Sequence, residues 1–234
     1  MNKERQEIGN SSIIEDVCSF LPSYTADEWD LSWVNQVISY LPLSYDLVNQ
    51  FIRLYQIPRI NFVSSKYKES FIIENSLPLW TKAVCVREGV YILFKGDLLN
   101  WRRIIDHEFF HAAVFQMYSK SLVVPKWFNE AMAYLVGENI NFKSSILKNN
   151  LGNNFPKIKE LIINDCLLDG PEEMTRGIIN SLASFLGICF SRRKIKLFFM
   201  CLKKRNEFSN VFNQVFEVSL NDFIDLWHQY ICIC

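Results

Sequence analysis

The 234-residue sequence lacks an excess of either charge: Lys plus Arg and Asp plus Glu both number 25. No global field therefore draws the chain to nucleic acid or to an anionic membrane. It also lacks a run of 18 or more uninterrupted apolar residues, which excludes a recognisable membrane-spanning helix, and its opening MNKERQEIGNSSIIEDVC contains no apolar stretch of signal-peptide length. There is no CxxC pair: the seven cysteines stand apart at 18, 85, 166, 189, 201, 232 and 234, which excludes a disulfide scaffold and a zinc ribbon. These absences predict a reducing, cytoplasmic setting. No internal repeat, low-complexity tract or Pro/Gly-rich linker divides the chain.

What is present is an apolar, aromatic composition. Half the residues are hydrophobic and 19 are Phe, enough to fill an interior and to exclude a disordered chain. Residues 1–27 are polar and without period and read as an N-terminal tail, leaving 28–234 as one unit. Apolar spacing over Leu31 to Tyr55, interrupted by Pro42, predicts two amphipathic helices. INFVS at 60–64, AVCVR at 83–87 and VYILF at 90–94 read as short strands, the last two joined through Glu88-Gly89 as a tight turn.

From Trp101 onward the period is helical, with helices expected at about 101–118, 126–136, 157–164, 172–188, 192–204, 207–217 and 220–231. Strands first and helices after is an α+β order. Pro125 suits the opening turn of the second of these helices and Gly137 its end. Ser219 and Asp222 have the spacing of a capping arrangement. The basic cluster at 192–205 alternates with Ile195, Leu197, Phe198, Phe199 and Met200, which predicts a solvated helix face opposite a buried one.

The chemistry concentrates at residues 107–111, His-Glu-Phe-Phe-His. Residues four apart share a helix face, so His107 and His111 can point at one ion while Glu108, about 100° round, stands beside it. Two neutral imidazoles suit Zn²⁺, and a hydrolytic site adds a third protein ligand and leaves one position to water. With only three histidines in the chain, a chance HExxH is rare. The acid among apolar neighbours in the next helix is Glu130, on the face of Trp127, Ala131 and Tyr134, and an inward carboxylate wants a cation.

HEFFH, eighteen residues, then Glu inside PKWFNEAMAYLV resembles the HExxH-x18-E signature and the P-x-W-x-N-E helix of gluzincin zinc metallopeptidases. It is similar in particular to peptidase MA-like domains, related to the alanyl aminopeptidase and leukotriene hydrolase group and more distantly to thermolysin. The likeness extends over about residues 45–231, densest at 83–137. It implies a zincin-like fold, one zinc on His107, His111 and Glu130, and Glu108 as general base for peptide hydrolysis. A peptide or unstructured protein segment would be the substrate, paired along the edge strand at Ala83 to Arg87. No acidic, Gly-rich strand precedes the HExxH, so an endopeptidase is expected rather than an aminopeptidase.

Where such chains often carry a Tyr, this one has Gly177-Ile178-Ile179. The oxyanion donor is therefore open among Tyr134, Tyr118, Arg176 and His228. The alternative is a zinc-binding interaction or regulatory module that has lost efficient turnover.

Overall fold

A computed structural model describes residues 31–63, 65–77, 81–86, 89–93, 100–118, 124–137, 147, 151, 154–205 and 207–233. The expected tail at 1–27 lies outside them. The order is α1 (Leu31–Val48), β1 (Ile60–Phe62), α2 (Ser65–Glu74), β2 (Ala83–Val86), β3 (Gly89–Ile92), α3 (Trp101–Met117), α4 (Lys126–Gly137), α5 (Phe155–Ile163), a 3-10 turn at Leu167–Asp169, α6 (Glu172–Cys189), α7 (Arg192–Arg205), α8 (Phe208–Phe216) and α9 (Leu220–Ile233). Strands precede most of the helices, and the architecture is α+β.

The strands form one mixed sheet in the order β1-β3-β2, β1 parallel and β2 antiparallel to β3. Val86 pairs with Gly89, so Gly89 belongs to the ladder and not to the turn. Its φ of +148° and its closeness to β1 explain the residue: a Cβ there would lie 2.3 Å from the Arg59 carbonyl oxygen, which accepts the Val90 N–H at 2.8 Å.

Pro42 does not divide the first helix. α1 runs through it, giving up the hydrogen bond that residue 42 would donate. Buried Val34, Val37, Leu41 and Val48 lie along one stripe of that helix, and α1 packs extensively on α3, so tertiary burial outweighs the local penalty. The second expected helix is replaced by turns over Asn49–Ile52, where the Asn49 side-chain oxygen accepts the Leu54 N–H at 3.1 Å.

The later helices match their sequence periods to within two residues at each end. The capping arrangement at α9 forms: Ser219 Oγ accepts the Asp222 N–H at 3.1 Å and donates to the Asp222 carboxylate at 2.6 Å. One buried cluster runs from Trp33 to Ile231, its densest part a group of rings from Phe128, Phe190, Phe198, Phe208, Phe212, Phe216 and Phe223. In α7 the expected division of faces holds for Ile195, Phe198 and Phe199, which are buried. Leu197 and Met200 instead face outward among the bases, because their angular position on the helix falls opposite the buried stripe. Among the described residues no helix is long and apolar enough to cross a membrane.

Candidate metal centre

Helix α3 is surrounded, which makes its polar residues conspicuous. Its HExxH turn is walled by Phe109, Phe110, Ala112 and Ala113, all nearly inaccessible, with α1, β2, β3 and α4 packed around it. α4 crosses it closely at one point. A Cβ on Gly137 would lie 2.4 Å from the Arg103 carbonyl oxygen and 2.9 Å from the His107 nitrogen, so glycine is what lets the two helices meet at the first histidine. Pro125 opens α4 with its carbonyl accepting the Asn129 N–H at 2.9 Å, and Trp127 and Ala131 anchor the helix in the core, turning Glu130 toward α3.

The three side chains meet. His107 Nε2 and His111 Nε2 are 3.1 Å apart, His107 Nε2 is 3.5 Å from one oxygen of Glu130, and His111 Nε2 is 3.4 Å from the other. All ligand atoms of this His, His, Glu group lie within 4.8 Å of one another, and the group can hold a metal ion. It is the one such group of three among the described residues, and His228 is not part of it. The two lone-pair nitrogens face each other across 3.1 Å; a proton on one of them, or a cation between them, is needed to remove their repulsion.

Electrostatics divide the two glutamates. Burial, the largest single influence on Glu130, would raise its proton affinity, but the positive charge His111 and His107 can carry and the His107 hydrogen bond together prevail and hold the carboxyl down at about 2. Glu108 is pushed up to about 7, chiefly by burial, with the Glu130 charge adding to it and with His111 and the Cys85 backbone N–H opposing it. The Cys85 contact ties Glu108 to the sheet edge. Lys82 O accepts the Leu93 N–H, so in the antiparallel ladder the backbone N–H and C=O groups of Lys82, Val84 and Val86 face β3, and those of Ala83 and Cys85 face away from it. The general-base candidate thus hangs from the outward side of β2, a link that the sequence shows only as proximity in fold order.

Two partners of α3 and α4 have no signal in the motif. Asp106, immediately before His107, is buried and accepts the Tyr40 hydroxyl of α1 at 2.8 Å. Burial raises its proton affinity, against the pull of nearby hydroxyls and of Arg102. The ring of Tyr40 meets Trp101 edge-on at 5.2 Å, so this corner fixes α1 to the start of α3. The second feature is one unpaired atom on each helix: His111 Nδ1 and Asn129 Oδ1 are both buried without a hydrogen-bond partner.

The four oxyanion candidates separate. Tyr134 meets His107 edge-on at 5.0 Å between ring centroids, next to the triad. Tyr118 donates its hydroxyl to the Phe199 carbonyl at 2.8 Å. Arg176 pairs with Glu172 at 2.8 Å on α6, and His228 is stacked on Phe155 at 3.7 Å on α9, beside Cys232. Cys85, Cys166, Cys189, Cys201 and Cys232 are free thiols. Burial pushes the Cys85 thiol well above its ordinary range, with the Glu108 charge adding to it, which disfavours the thiolate.

No protein-family model matches the sequence, and no curated protein or solved structure does.

Proposed function

We propose that the chain is a zinc-dependent peptidase of the gluzincin kind, with a zincin-like placement of sheet and active-site helices, acting on peptides or unstructured protein segments. The observation that carries the reading is the spacing of the triad. Three ligands bonded at about 2.0 to 2.1 Å to a tetrahedral zinc stand about 3.3 Å from one another. His107 Nε2 and His111 Nε2 are 3.1 Å apart, and the two oxygens of Glu130 take one histidine each, at 3.5 Å from His107 and 3.4 Å from His111, so the carboxylate straddles the pair at close to that spacing. Nitrogen, nitrogen and carboxylate oxygen is also a donor set suited to that ion.

Zinc at such a site supplies a water of lowered pKa and polarises the carbonyl to be attacked. The chain's own part is positioning and proton transfer. Glu108, buried beside the triad and steadied by the Cys85 N–H, accepts a proton from the attacking water and delivers it to the leaving amine. The outward-pointing backbone groups of Ala83 and the carbonyl of Cys85 offer an extended peptide a strand to pair with, which favours segments without structure of their own.

A second reading is favoured by one observation. Of the four candidate oxyanion donors, Tyr118 has committed its hydroxyl to Phe199, and Arg176 and His228 are engaged on α6 and α9. Tyr134, beside His107, is the one candidate left next to the triad, and a zinc-holding module without turnover is the reading in which it does not serve as donor.

Metal content measured by plasma mass spectrometry tests both readings. Close to one zinc per wild-type chain is expected, lost in His111→Ala. Glu108→Gln should keep the zinc while hydrolysis of an unstructured peptide falls by about 10²- to 10⁴-fold. Zinc retained with no cleavage by the wild type selects the second reading, and no zinc after reconstitution overturns both.

A further inference from the structure

Helix α7 presents a surface that the metal reading does not use. Ile195, Phe198, Phe199 and Leu202 are buried and fix the helix to α3, α4 and α8 through Phe110, Phe128 and Phe212. On the opposite side Leu197 and Met200, each 49% exposed, lie one above the other. Together with Ser191, Arg193, Lys194 and Lys196 they line a shallow cavity of about 380 Å³.

The charge carried by α7 itself is of one sign. Its 14 residues include seven basic and no acidic ones, on a chain of zero formal net charge, so positive charge is gathered at α7, with Glu217 the acid that reaches it, at Lys194. Some of the bases are committed. Lys194 is 3.4 Å from Glu217, Lys196 donates to the Asn49 carbonyl, Lys203 to the Tyr55 hydroxyl and Arg192 to the Gln50 side chain. Arg193 and Lys204 sit one turn either side of the apolar pair, and no bond to either is found among the described residues.

We propose that this face of α7 docks on an anionic phospholipid surface. Leu197 and Met200 enter the interfacial layer, and Arg193 and Lys204 contact the phosphate head groups. A rigid helix with bases around an exposed apolar centre is rewarded twice at a bilayer interface, by hydrophobic burial and by the negative surface potential. A polyanion such as duplex DNA rewards the bases alone and leaves the two aliphatic side chains without a role. The surface faces away from α3 and α4, so the proposal stands apart from the peptidase reading.

The test is co-sedimentation of the full chain with vesicles of about 7:3 phosphatidylcholine and phosphatidylserine, against pure phosphatidylcholine, at about 0.1 M salt. Partition at least about tenfold stronger into the anionic vesicles is expected. Arg193→Glu with Lys204→Glu should remove that gain. Leu197→Ser with Met200→Ser, which leaves the charge unchanged, should weaken binding about fivefold or more. All four positions are exposed, and circular dichroism and the thermal unfolding midpoint of each variant check that the fold is intact. Equal partition into both vesicle types overturns the proposal. So does anionic binding that the serine variant retains in full while the wild type binds duplex DNA as tightly, which marks a bare polyanion surface.

Discussion

Buried polar groups are paired in the helical half of this molecule and left unpaired around α3. Ser181, fully buried, donates to the Ile178 carbonyl at 2.7 Å and accepts the Trp227 indole N–H at 3.1 Å, and Thr175 donates to the Leu167 carbonyl at 3.1 Å. By contrast, Ser44 Oγ, Asn61 Nδ2, Asp106 Oδ1, His111 Nδ1 and Asn129 Oδ1 are buried without a partner, and no such atom is found beyond residue 137 among the described residues. An unpaired buried polar group costs about 1 to 3 kcal/mol. The interior of the helical half is paired throughout among the described residues. The α3 and α4 region keeps charged and unpaired groups at a cost that a bound cation would offset.

The largest effect should come from breaking the well-paired side. Phe198 is fully buried and in ring contact with Phe128, Phe199, Phe208, Phe212 and Phe216. Phe198→Ala removes the centre of that group and should destabilise the protein by about 3 to 5 kcal/mol, read as a fall in the denaturant midpoint. The folded fraction should hold as much metal as the wild type. A parallel loss of metal would mean that the aromatic group also shapes the triad.

The pH dependence of the metal-free protein sharpens the comparison next, because the two glutamates act in opposite directions. Glu130, held down at about 2, contributes stability that is present above its ordinary value of 4.5 and lost as pH falls toward 2. Glu108, pushed up to about 7, is still protonated in the folded state at pH values where the unfolded chain has ionised, so its effect is a loss of stability as pH rises from 4.5 to 7. The size of that loss is about 3 kcal/mol, at 1.36 kcal/mol per pH unit. Denaturant midpoints of metal-free wild type and Glu108→Gln, compared between pH 4.5 and 7.5, should differ in slope, with the variant lacking this contribution. Equal slopes would mean that Glu108 is not desolvated.

Much of this molecule could be read from residue types and spacing, and the parts that could not share a cause. Helix positions from Trp101 onward follow from apolar period, and the meeting of His107, His111 and Glu130 follows from four-residue spacing plus one inward acid. Two features escaped because they depend on contacts distant in sequence. Helix α1 continues through Pro42 because α3 lies against its buried stripe, and Gly89 stands in the ladder because Arg59 approaches it. The Tyr40 to Asp106 bond joins residues 66 apart and has no periodic signal at all. Local chemistry is legible where the helix repeat brings groups together, and it is hidden where the tertiary fold does.

The smallest effect separates the two regions most cleanly, since it uses one substitution of one residue type in each. Ser181→Ala leaves the buried Trp227 N–H without an acceptor and should cost about 1 to 3 kcal/mol. Ser44 is equally inaccessible, but its hydroxyl, although near enough to Asp106 to act on its charge, makes no hydrogen bond of acceptable geometry. Ser44→Ala therefore gives up no bond and removes an unpaired group, and it should change stability by about 0.5 kcal/mol or less. Urea denaturation of the two metal-free variants beside wild type measures the pair. Equal losses would mean that the Ser44 hydroxyl is satisfied, by a water or by Asp106, and the contrast between the paired and unpaired halves would then shrink to the triad and Asn129.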